Sequence, residues 1–334
     1  MIREPPRASP DRKDRVARDA PGPGRGPLGG LYKDLPDAEA TATVERALAL
    51  GLNFFDTAPL YGHGKSELRL GRALEGRARA SFVVATKVGR VLLPEDPARV
   101  ESPWFEHPDA FRLVFDFSHD GVMRSFEDSR RRLALERVNV VHIHDPDDHY
   151  GQVIAETFPA LEKLRRQGAI DAIGAGMNQA EMLARLAREC DFDCFLLAGR
   201  YTLIDHTGLE ELLPLCLARR ISIIVGGPYN SGILATGAQP GAKFNYADAP
   251  PLLLERVRRI EVVCARHGVP LKAAALQFPL AHPAVVAVIP GARSAVEVDE
   301  NFRLMSHPIP RAFWVELRAT GLLPEEAPVP GDAP

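Results

Sequence analysis

The chain is built as a long alternation of two kinds of segment, and this alternation constrains its fold most. Between residues 37 and 304, stretches with helical periodicity are followed by short stretches that are apolar throughout. Seven apolar stretches are predicted strands, with 26–31 as a candidate eighth: residues 53–56, 82–86, 138–143, 169–175, 193–198, 221–226 and 284–289. Such strands, apolar on both faces and separated by helices, are typical of a helix-covered parallel sheet. Eight such units close a (β/α)8 barrel, so residues 27–322 are predicted to form a single TIM-barrel domain.

An open doubly wound sheet is the alternative architecture for the same alternation. It requires a glycine-rich fingerprint after its first strand. Residues 22–26 (GPGRG) are rich in glycine, but they lack that spacing and no clear strand precedes them. The barrel is therefore the predicted fold, and its chemistry is expected at the C-terminal ends of the strands, where long loops cover the mouth.

The two ends of the chain and its overall charge limit the possible partners. Residues 1–26 are predicted to be a disordered tail rich in Pro, Arg and Asp, and residues 323–334 a C-terminal tail. The N-terminal segment has no apolar h-region, which favours a cytoplasmic location over secretion. The 41 Lys and Arg against 44 Asp and Glu leave no basic footprint for nucleic acid, and no apolar run is long enough for a membrane span. We expect a small-molecule substrate, no metal, and a monomer or small homo-oligomer.

Polar residues end or closely follow three of the predicted strands. Asp56 ends the strand at 53–56, and Tyr61 follows five residues later. Lys87 and His144 come directly after the strands at 82–86 and 138–143. A free phenol has a pKa of about 10, too high for efficient proton transfer at neutral pH. A nearby ammonium favours the phenolate, a carboxylate keeps that ammonium charged, and an imidazole hydrogen-bonds the reacting oxygen, so these residues form a candidate acid–base site.

Two insertions interrupt the alternation, and in a barrel both lie over the mouth. Residues 91–117 carry several aromatic residues, of which Trp104 and Phe105 are the candidate substrate contacts. Residues 230–249 are rich in Gly and Ala. The polar groups expected to face a substrate are Asp145, Asp147, Asp148, His149 and Arg200.

Several segments, in order along the chain, resemble the aldo-keto reductase superfamily. Residues 51–62 (GLNFFDTAPLYG) resemble its signature around the catalytic Asp and Tyr, residues 85–88 (ATKV) its lysine strand, and residues 143–146 (IHDP) the end of its histidine strand. The segments that resemble its cofactor-binding parts are 173–178 (IGAGMN), 227–234 (GPYNSGIL), 289–294 (IPGARS) and 300–301 (EN).

This resemblance implies a role for each candidate residue. Tyr61 transfers the proton, and Lys87 lowers the pKa of Tyr61. Asp56 orients Lys87, and His144 hydrogen-bonds the substrate oxygen. The implied cofactor is NAD or NADP, with Asn178 at the nicotinamide carboxamide. The implied pyrophosphate contacts are Gly227, Pro228, Tyr229, Asn230 and Gly232, and those of the adenosine phosphate are Pro290, Gly291, Ala292, Arg293, Glu297, Glu300 and Asn301.

NAD is the predicted cofactor, with NADP as the alternative. Relatives that prefer NADP place a cation directly after the Ile-Pro of the last strand and another a few residues later, where this chain has Gly291 and Glu297. A carboxylate near the ribose repels a 2′-phosphate and accepts hydrogen bonds from hydroxyls. Arg293 is the counter-evidence, because a guanidinium can bind that phosphate.

The sequence departs from the family pattern at three places. Gly226 stands where many members have an aromatic residue under the nicotinamide, Ala198 replaces a common Gln, and the Pro-rich residues 21–27 replace an apolar run. Within the superfamily, residues 145–149, 198–201 and 225–230 resemble the aldose 1-dehydrogenases and relatives that oxidise pyridoxal. This implies a dehydrogenase that oxidises an aldose at C1 to its lactone, with Asp145 as a substrate contact and pyridoxal as the alternative substrate.

Other classes remain alternatives. A general aldehyde or ketone reductase and a binding subunit without turnover fit the same resemblance. A metal-dependent barrel hydrolase is suggested by His142, His144 and the acids after them, but the later strand ends at Ala175, Ala198 and Gly226 offer poor ligands. His142 is expected to point away from His144 and to pack between the barrel and its helices.

Overall fold

The computed structural model describes residues 27–31, 33–103, 105–245 and 247–332. Its strands are β1 (Phe54–Asp56), β2 (Val83–Val88), β3 (Arg90–Pro94), β4 (Phe111–Phe115), β5 (Val138–His144), β6 (Ile170–Met177), β7 (Cys194–Ala198), β8 (Ser222–Gly226), β9 (Lys243–Phe244), β10 (Ala247–Asp248) and β11 (Val285–Ile289). Seven of them form one parallel sheet in the order β1-β2-β5-β6-β7-β8-β11, and β3–β4 and β9–β10 are antiparallel pairs. Each strand of the main sheet pairs with the next one along the chain, as in a (β/α)8 barrel.

Helices cover the outside of this sheet. They are α1 (Asp37–Ala49), α2 (Lys65–Leu74), α3 (His119–Leu133), α4 (Phe158–Arg166), α5 (Ala180–Glu189), α6 (Leu212–Arg219), α7 (Pro251–His267), α8 (Leu271–Gln277), α9 (Ala295–Met305) and α10 (Arg311–Ala319), with single turns at Tyr150–Gln152, Thr207–Glu210 and Ile233–Thr236. Every crossover between neighbouring strands of the main sheet contains at least one helix, which confirms the predicted barrel class. None of the described helices is long and apolar enough to cross a membrane.

Two apolar clusters lie on the two faces of the sheet. The inner cluster consists of Phe54, Ala85, Val140, Ala172, Cys194, Leu196, Ile224, Ala287 and Ile289. Residues that alternate with them, such as Phe55, Val84 and Val141, belong to the larger cluster that packs against the helices. This division follows from the period of two along a strand, and it fixes which polar side chains point into the barrel.

The candidate eighth strand at residues 26–31 is wrong as far as the described part of that segment shows. Pro27–Gly29 is a 3₁₀ turn, and Leu31 makes a single antiparallel bridge with Phe105. Gly29 packs directly on the backbone of Tyr61, since a Cβ at position 29 would lie 2.5 Å from the Tyr61 carbonyl carbon. The segment therefore supports the turn that carries Tyr61 instead of extending the ladder.

The C-terminal residues pack on the barrel, in contrast to the solvated tail that the sequence suggested. Leu323, Ala327 and Val329 are buried in the main core. The Arg318 guanidinium donates a hydrogen bond of 2.6 Å to the Asp332 carboxylate. Both the apolar side chains and this polar contact join the segment to the barrel. The predicted N-terminal tail, residues 1–26, lies outside the described residues.

His142 points into the barrel, and the expectation that it faces the helices is wrong. His142 and His144 are two residues apart on β5, so both side chains lie on the same face as Val140. His142 is fully buried, and burial together with the charge of Lys87 lowers its pKa to about 3, so its imidazole is neutral. The ring lies against Gly174 on the neighbouring strand.

This packing predicts different responses from two glycines of β6. A Cβ at Gly174 would lie 2.2 Å from the His142 Nδ1 and 2.9 Å from the Cys194 carbonyl oxygen, whereas a Cβ at Gly176 would meet its neighbours at 3.5 Å or more. We expect Gly174→Ala to lower the free energy of unfolding by about 1–3 kcal/mol and Gly176→Ala to change it by less than about 1 kcal/mol. Urea denaturation of both variants measures the difference, and equal losses would contradict this packing.

Candidate active site

The four predicted acid–base residues meet at the C-terminal ends of adjacent strands. Asp56 is the last residue of β1, Lys87 is next to last in β2, and His144 is the last of β5. The strands are neighbours in the sheet, with Asp56 paired in register to Ala85 and Lys87 to His142. All three side chains are buried. The barrel thus brings together residues that lie up to 88 positions apart, counted from Asp56 to His144.

Asp56 and Lys87 form a buried ion pair. The Lys87 Nζ lies 2.7 Å from the Asp56 Oδ2 and donates a second hydrogen bond of 2.9 Å to the Thr57 carbonyl. Burial acts to lower the pKa of Lys87, but the charges and hydrogen bonds of Asp56 and Tyr61 outweigh it and leave that pKa raised. Lys87 is therefore a charged ammonium inside the barrel.

Tyr61 lies above this pair on the turn after β1. The Lys87 Nζ is 4.7 Å from the centroid of the Tyr61 ring, and the lysine also hydrogen-bonds the tyrosine side chain. The turn depends on Gly62, because its φ is +66° and a Cβ at position 62 would lie only 2.4 Å from the Gly29 carbonyl oxygen. The turn thus holds the phenol over the ammonium.

His144 completes the group from the next strand. Its ring meets the ring of Tyr61 edge-on, with 6.1 Å between the centroids. Burial, together with the positive charges of Arg90 and Lys87, keeps the pKa of His144 well below its usual value. The imidazole is therefore neutral and has one N–H to donate.

Asp145, the predicted substrate contact, follows His144 and adopts a left-handed backbone conformation with φ +44°. Its Oδ2 lies 3.6 Å from the His144 Nε2 and 2.8 Å from the Arg90 Nη2. Sequence reasoning missed Arg90. The available signal was its position three residues after Lys87, directly behind Gly89, which places it at the mouth of the barrel.

The remaining predicted substrate contacts differ in where they lie. Phe105 is buried with its ring centroid 6.5 Å from that of Tyr61, so it lines the site, whereas Trp104 lies outside the described residues. The His149 ring lies against the rings of Phe117, tilted at a centroid distance of 4.6 Å, and Phe115, stacked at 5.7 Å. Arg200 donates hydrogen bonds to Asn178, Asp205 and Asn245, so it ties the loops of the neighbouring strands together.

The loop after β8 is shaped as a cradle. Gly227, Asn230, Ser231 and Gly232 all have positive φ, and a Cβ at Gly232 would have no neighbour within 4 Å. Asn230 donates a hydrogen bond of 3.0 Å to the Gly199 carbonyl, while its Oδ1 is buried without a partner among the described residues. A loop that combines this run of positive φ angles with open space at Gly232 lets a bulky anion such as a pyrophosphate approach the backbone closely.

The cradle is connected to the last helix of the predicted cofactor segment. The Tyr229 hydroxyl donates a hydrogen bond of 2.6 Å to the Asn301 Oδ1 in α9. Ser294 caps α9, because its hydroxyl accepts from the Glu297 N–H, and the Glu297 carboxylate accepts from the Arg293 N–H at 2.7 Å. Pro290, Gly291 and Ala292 join β11 to this cap.

Two charged side chains of the predicted adenosine-phosphate segment bind other residues of this chain. The Arg293 Nη2 donates to the Leu31 carbonyl at 2.7 Å, and Glu300 pairs with Lys272 at 2.9 Å. Asn178 follows β6 at the same end of the barrel. The residues predicted to contact a dinucleotide thus lie along one side of the mouth, and they fit such a group. No set of three His, Cys, Asp or Glu side chains in the described part of the chain could hold a metal ion.

Relatives of known activity align with most of the chain. It is 40% identical over 322 residues to pyridoxal 4-dehydrogenase of Microbacterium luteolum, covering 90% of this chain and 94% of the relative. It is 38% identical over 316 residues to D-threo-aldose 1-dehydrogenase of a Pseudomonas species, covering 92% and 96%. L-Galactose dehydrogenase of Arabidopsis thaliana is 31% identical over 288 residues, covering 84% and 82%.

Solved structures confirm the fold. An aldo-keto reductase from Bacillus halodurans in its holo form superposes with a TM-score of 0.72 at 24% identity, over 90% of this chain and 91% of the other. Glycerol dehydrogenase from Gluconobacter oxydans gives the same TM-score and identity over 94% of both chains. The model of the aldo/keto reductase family matches residues 22–321. The chain therefore belongs to the aldo/keto reductase family of NAD(P)-dependent oxidoreductases.

Proposed function

We propose that this protein is an NAD-dependent dehydrogenase that oxidises the cyclic hemiacetal of an aldose at C1 to the lactone. The observation that carries the proposal is the buried Lys87 ammonium, which contacts both the Asp56 carboxylate and Tyr61. An ammonium beside a phenol favours the phenolate, and a phenolate is the base that an alcohol oxidation needs. Asp56 keeps the ammonium charged and in place.

In the forward reaction, Tyr61 takes the proton of the C1 hydroxyl. When bound, the oxidised nicotinamide supplies the hydride acceptor, so the C1 hydrogen leaves with two electrons and the C1–O bond becomes a carbonyl. His144 is neutral because it is buried, and its N–H donates to the same oxygen. A neutral donor at this position orients the oxygen without competing with Tyr61 for the proton.

The residues along one side of the mouth would hold the cofactor. We assign the carboxamide to Asn178, the pyrophosphate to the cradle at 227–232, and the adenosine end to the segment from Pro290 to Asn301. The Glu297 carboxylate accepts a hydrogen bond from the Arg293 N–H, so a negative charge lies in the segment that we assign to the adenosine end, where it would repel a 2′-phosphate. The Arg293 guanidinium is partly engaged with Leu31. Both features support NAD over NADP.

Pyridoxal is the second candidate substrate, favoured by the 40% identity to a pyridoxal 4-dehydrogenase. An aldose and pyridoxal both carry an aldehyde that a hydroxyl of the same molecule closes into a cyclic hemiacetal, so the same residues serve either. The sugar is supported by the polar Asp145 beside His144, because a buried sugar hydroxyl without a partner loses affinity. The flat pyridine ring is supported by Phe105 near Tyr61.

Replacing Tyr61 tests the assignment of the base. Tyr61→Phe removes the hydroxyl and leaves the ring and the cofactor segments in place. We expect kcat to fall by about 10²–10⁴-fold while the affinity for NAD stays within about twofold, because general acid–base catalysis is typically of this size. Steady-state kinetics measures kcat, and the quenching of protein fluorescence on addition of NAD measures the affinity for NAD. Retention of more than about a tenth of the activity would contradict the assignment.

Removing the charge of Glu297 tests the cofactor preference. Glu297→Gln keeps an acceptor for the Arg293 N–H and the cap of α9, but it removes one negative charge. We expect kcat/KM with NADP to rise by about three- to tenfold, the scale of one partly screened charge interaction. Asp299→Asn is the matched control on the same helix, since Asp299 pairs with Arg46. A wild-type enzyme that prefers NADP by tenfold or more would falsify the proposed preference.

A substrate panel decides between the two hemiacetals. We expect purified protein with NAD to oxidise L-fucose, D-arabinose or L-galactose with a higher kcat/KM than pyridoxal, and to release the corresponding lactone. Reduced nicotinamide is followed at fixed pH, and the product is identified by mass spectrometry. If pyridoxal is oxidised far better, to 4-pyridoxolactone, the aldose assignment is wrong and the second candidate replaces it.

A further inference from the structure

Arg90 occupies a special position between the catalytic group and the β3–β4 hairpin. It is the first residue of β3, and its side chain is only 10% exposed. Its Nη2 lies 2.8 Å from the Asp145 Oδ2, and its Nη1 donates to the His144 carbonyl at 3.4 Å. The guanidinium also lies over the Phe115 ring, 4.7 Å from the centroid. Arg90 therefore contacts the end of β5 through two groups, the His144 carbonyl and the Asp145 carboxylate.

Asp145 is held in a conformation that a non-glycine residue seldom adopts. Its φ of +44° is left-handed, and its N–H donates to the Gly176 carbonyl at 3.1 Å. This conformation turns the carboxylate back toward His144, so that Oδ2 lies 3.6 Å from Nε2, beyond hydrogen-bond distance. Asp145 remains about one-third exposed, at 34% of its side chain, so one side of the carboxylate faces the mouth. A strained residue in contact with a catalytic strand end points to function.

We propose that Arg90 is a positioning residue: its guanidinium holds the Asp145 carboxylate beside the His144 Nε2, where this carboxylate accepts a hydrogen bond from a substrate hydroxyl next to the reacting carbon. The proposal rests on the proposed function. For an aldose this hydroxyl is the one on C2. The C2 hydroxyl lies next to the C1 oxygen, to which His144 donates in the proposed reaction. Asp145 lies next to His144, so its carboxylate is in reach of this neighbouring hydroxyl.

The same guanidinium has an electrostatic role at His144. The charged and titratable groups that face this imidazole are Lys87 from β2, Arg90 from β3, His142 from its own strand, Tyr61 from the turn after β1, and Asp145 from the strand end. A carboxylate alone beside an imidazole would favour the imidazolium. Arg90 opposes this, because its positive charge lowers the pKa of His144 and it engages the Asp145 oxygen that lies nearest to Nε2.

A purely structural ion pair is the competing explanation. In that case Arg90 only joins the β3–β4 hairpin to the end of β5. Its loss would lower the free energy of unfolding without changing KM or the pKa of His144. The two explanations differ in KM and in the titration of His144, so these quantities decide between them.

Kinetics of four variants test the contact with the substrate. With the best substrate of the panel, we expect Arg90→Met and Asp145→Asn to raise KM by about tenfold or more, the effect of losing a charged hydrogen-bond partner, and Arg90→Lys to recover part of this loss. Arg112→Met is the control, because it removes an exposed arginine from the same hairpin. An unchanged KM in Arg90→Met, with NADH affinity intact, would overturn the proposal.

NMR titration of ¹³C-labelled histidine tests the electrostatic role without turnover, with His144→Asn assigning the resonance. We expect the pKa of His144 to rise in Arg90→Met and to return toward the wild-type value in Arg90→Lys. A His144 titration that is unchanged in Arg90→Met would refute this role. The two failures can be told apart. If the wild-type protein oxidises no hemiacetal, the proposed function fails, but the effect of Arg90 on the pKa of His144 can still be measured.

Discussion

The buried ion pair between Asp56 and Lys87 is the interaction on which the site depends. Lys87 is only 1% exposed, and a charged ammonium at that depth requires a partner close by. Removing one member of such a pair typically costs about 3–5 kcal/mol, because the other charge is left buried and uncompensated. Asp56, the Thr57 carbonyl and Tyr61 surround the ammonium, so the tyrosine is part of the arrangement that makes the charge tolerable.

The barrel provides the geometry that this pair needs. Parallel strands bring their C-terminal ends to one face, so Asp56, Lys87 and His144 become neighbours without any local sequence pattern that joins them. His142 lies below them on the inner face, and the missing side chain at Gly174 leaves room for its ring. The turn at Gly29 and Gly62 then sets the height of the Tyr61 ring above Lys87. The candidate site is therefore positioned by strand register and by the close backbone contact between the turns at Gly29 and Gly62.

Much of the barrel and of the candidate site could be predicted from the sequence, because short stretches that are apolar throughout and alternate with helical stretches indicate buried parallel strands. The seven strands and the meeting of Asp56, Tyr61, Lys87 and His144 followed from it. The failures have physical causes. Residues 27–31 contain a proline and a glycine pair, so their apolar residues serve a turn instead of a ladder. His142 was expected on the outer face, but it lies two residues from His144, one full side-chain period of a strand, so both histidines share the inner face. Arg90 was missed because its partner Asp145 lies 55 residues away along the chain.

Direct titration of Tyr61 tests the central claim most closely. The pKa of its phenol can be followed by NMR of ¹³C-labelled tyrosine, with Tyr61→Phe assigning the signal. The account predicts that Tyr61 titrates below the ordinary value of about 10 for a free phenol, and that Lys87→Met moves it to that value or above. If Tyr61 titrates at or above about 10 in the wild type, or if Lys87→Met leaves its pKa unchanged, Lys87 does not prepare Tyr61 as the base.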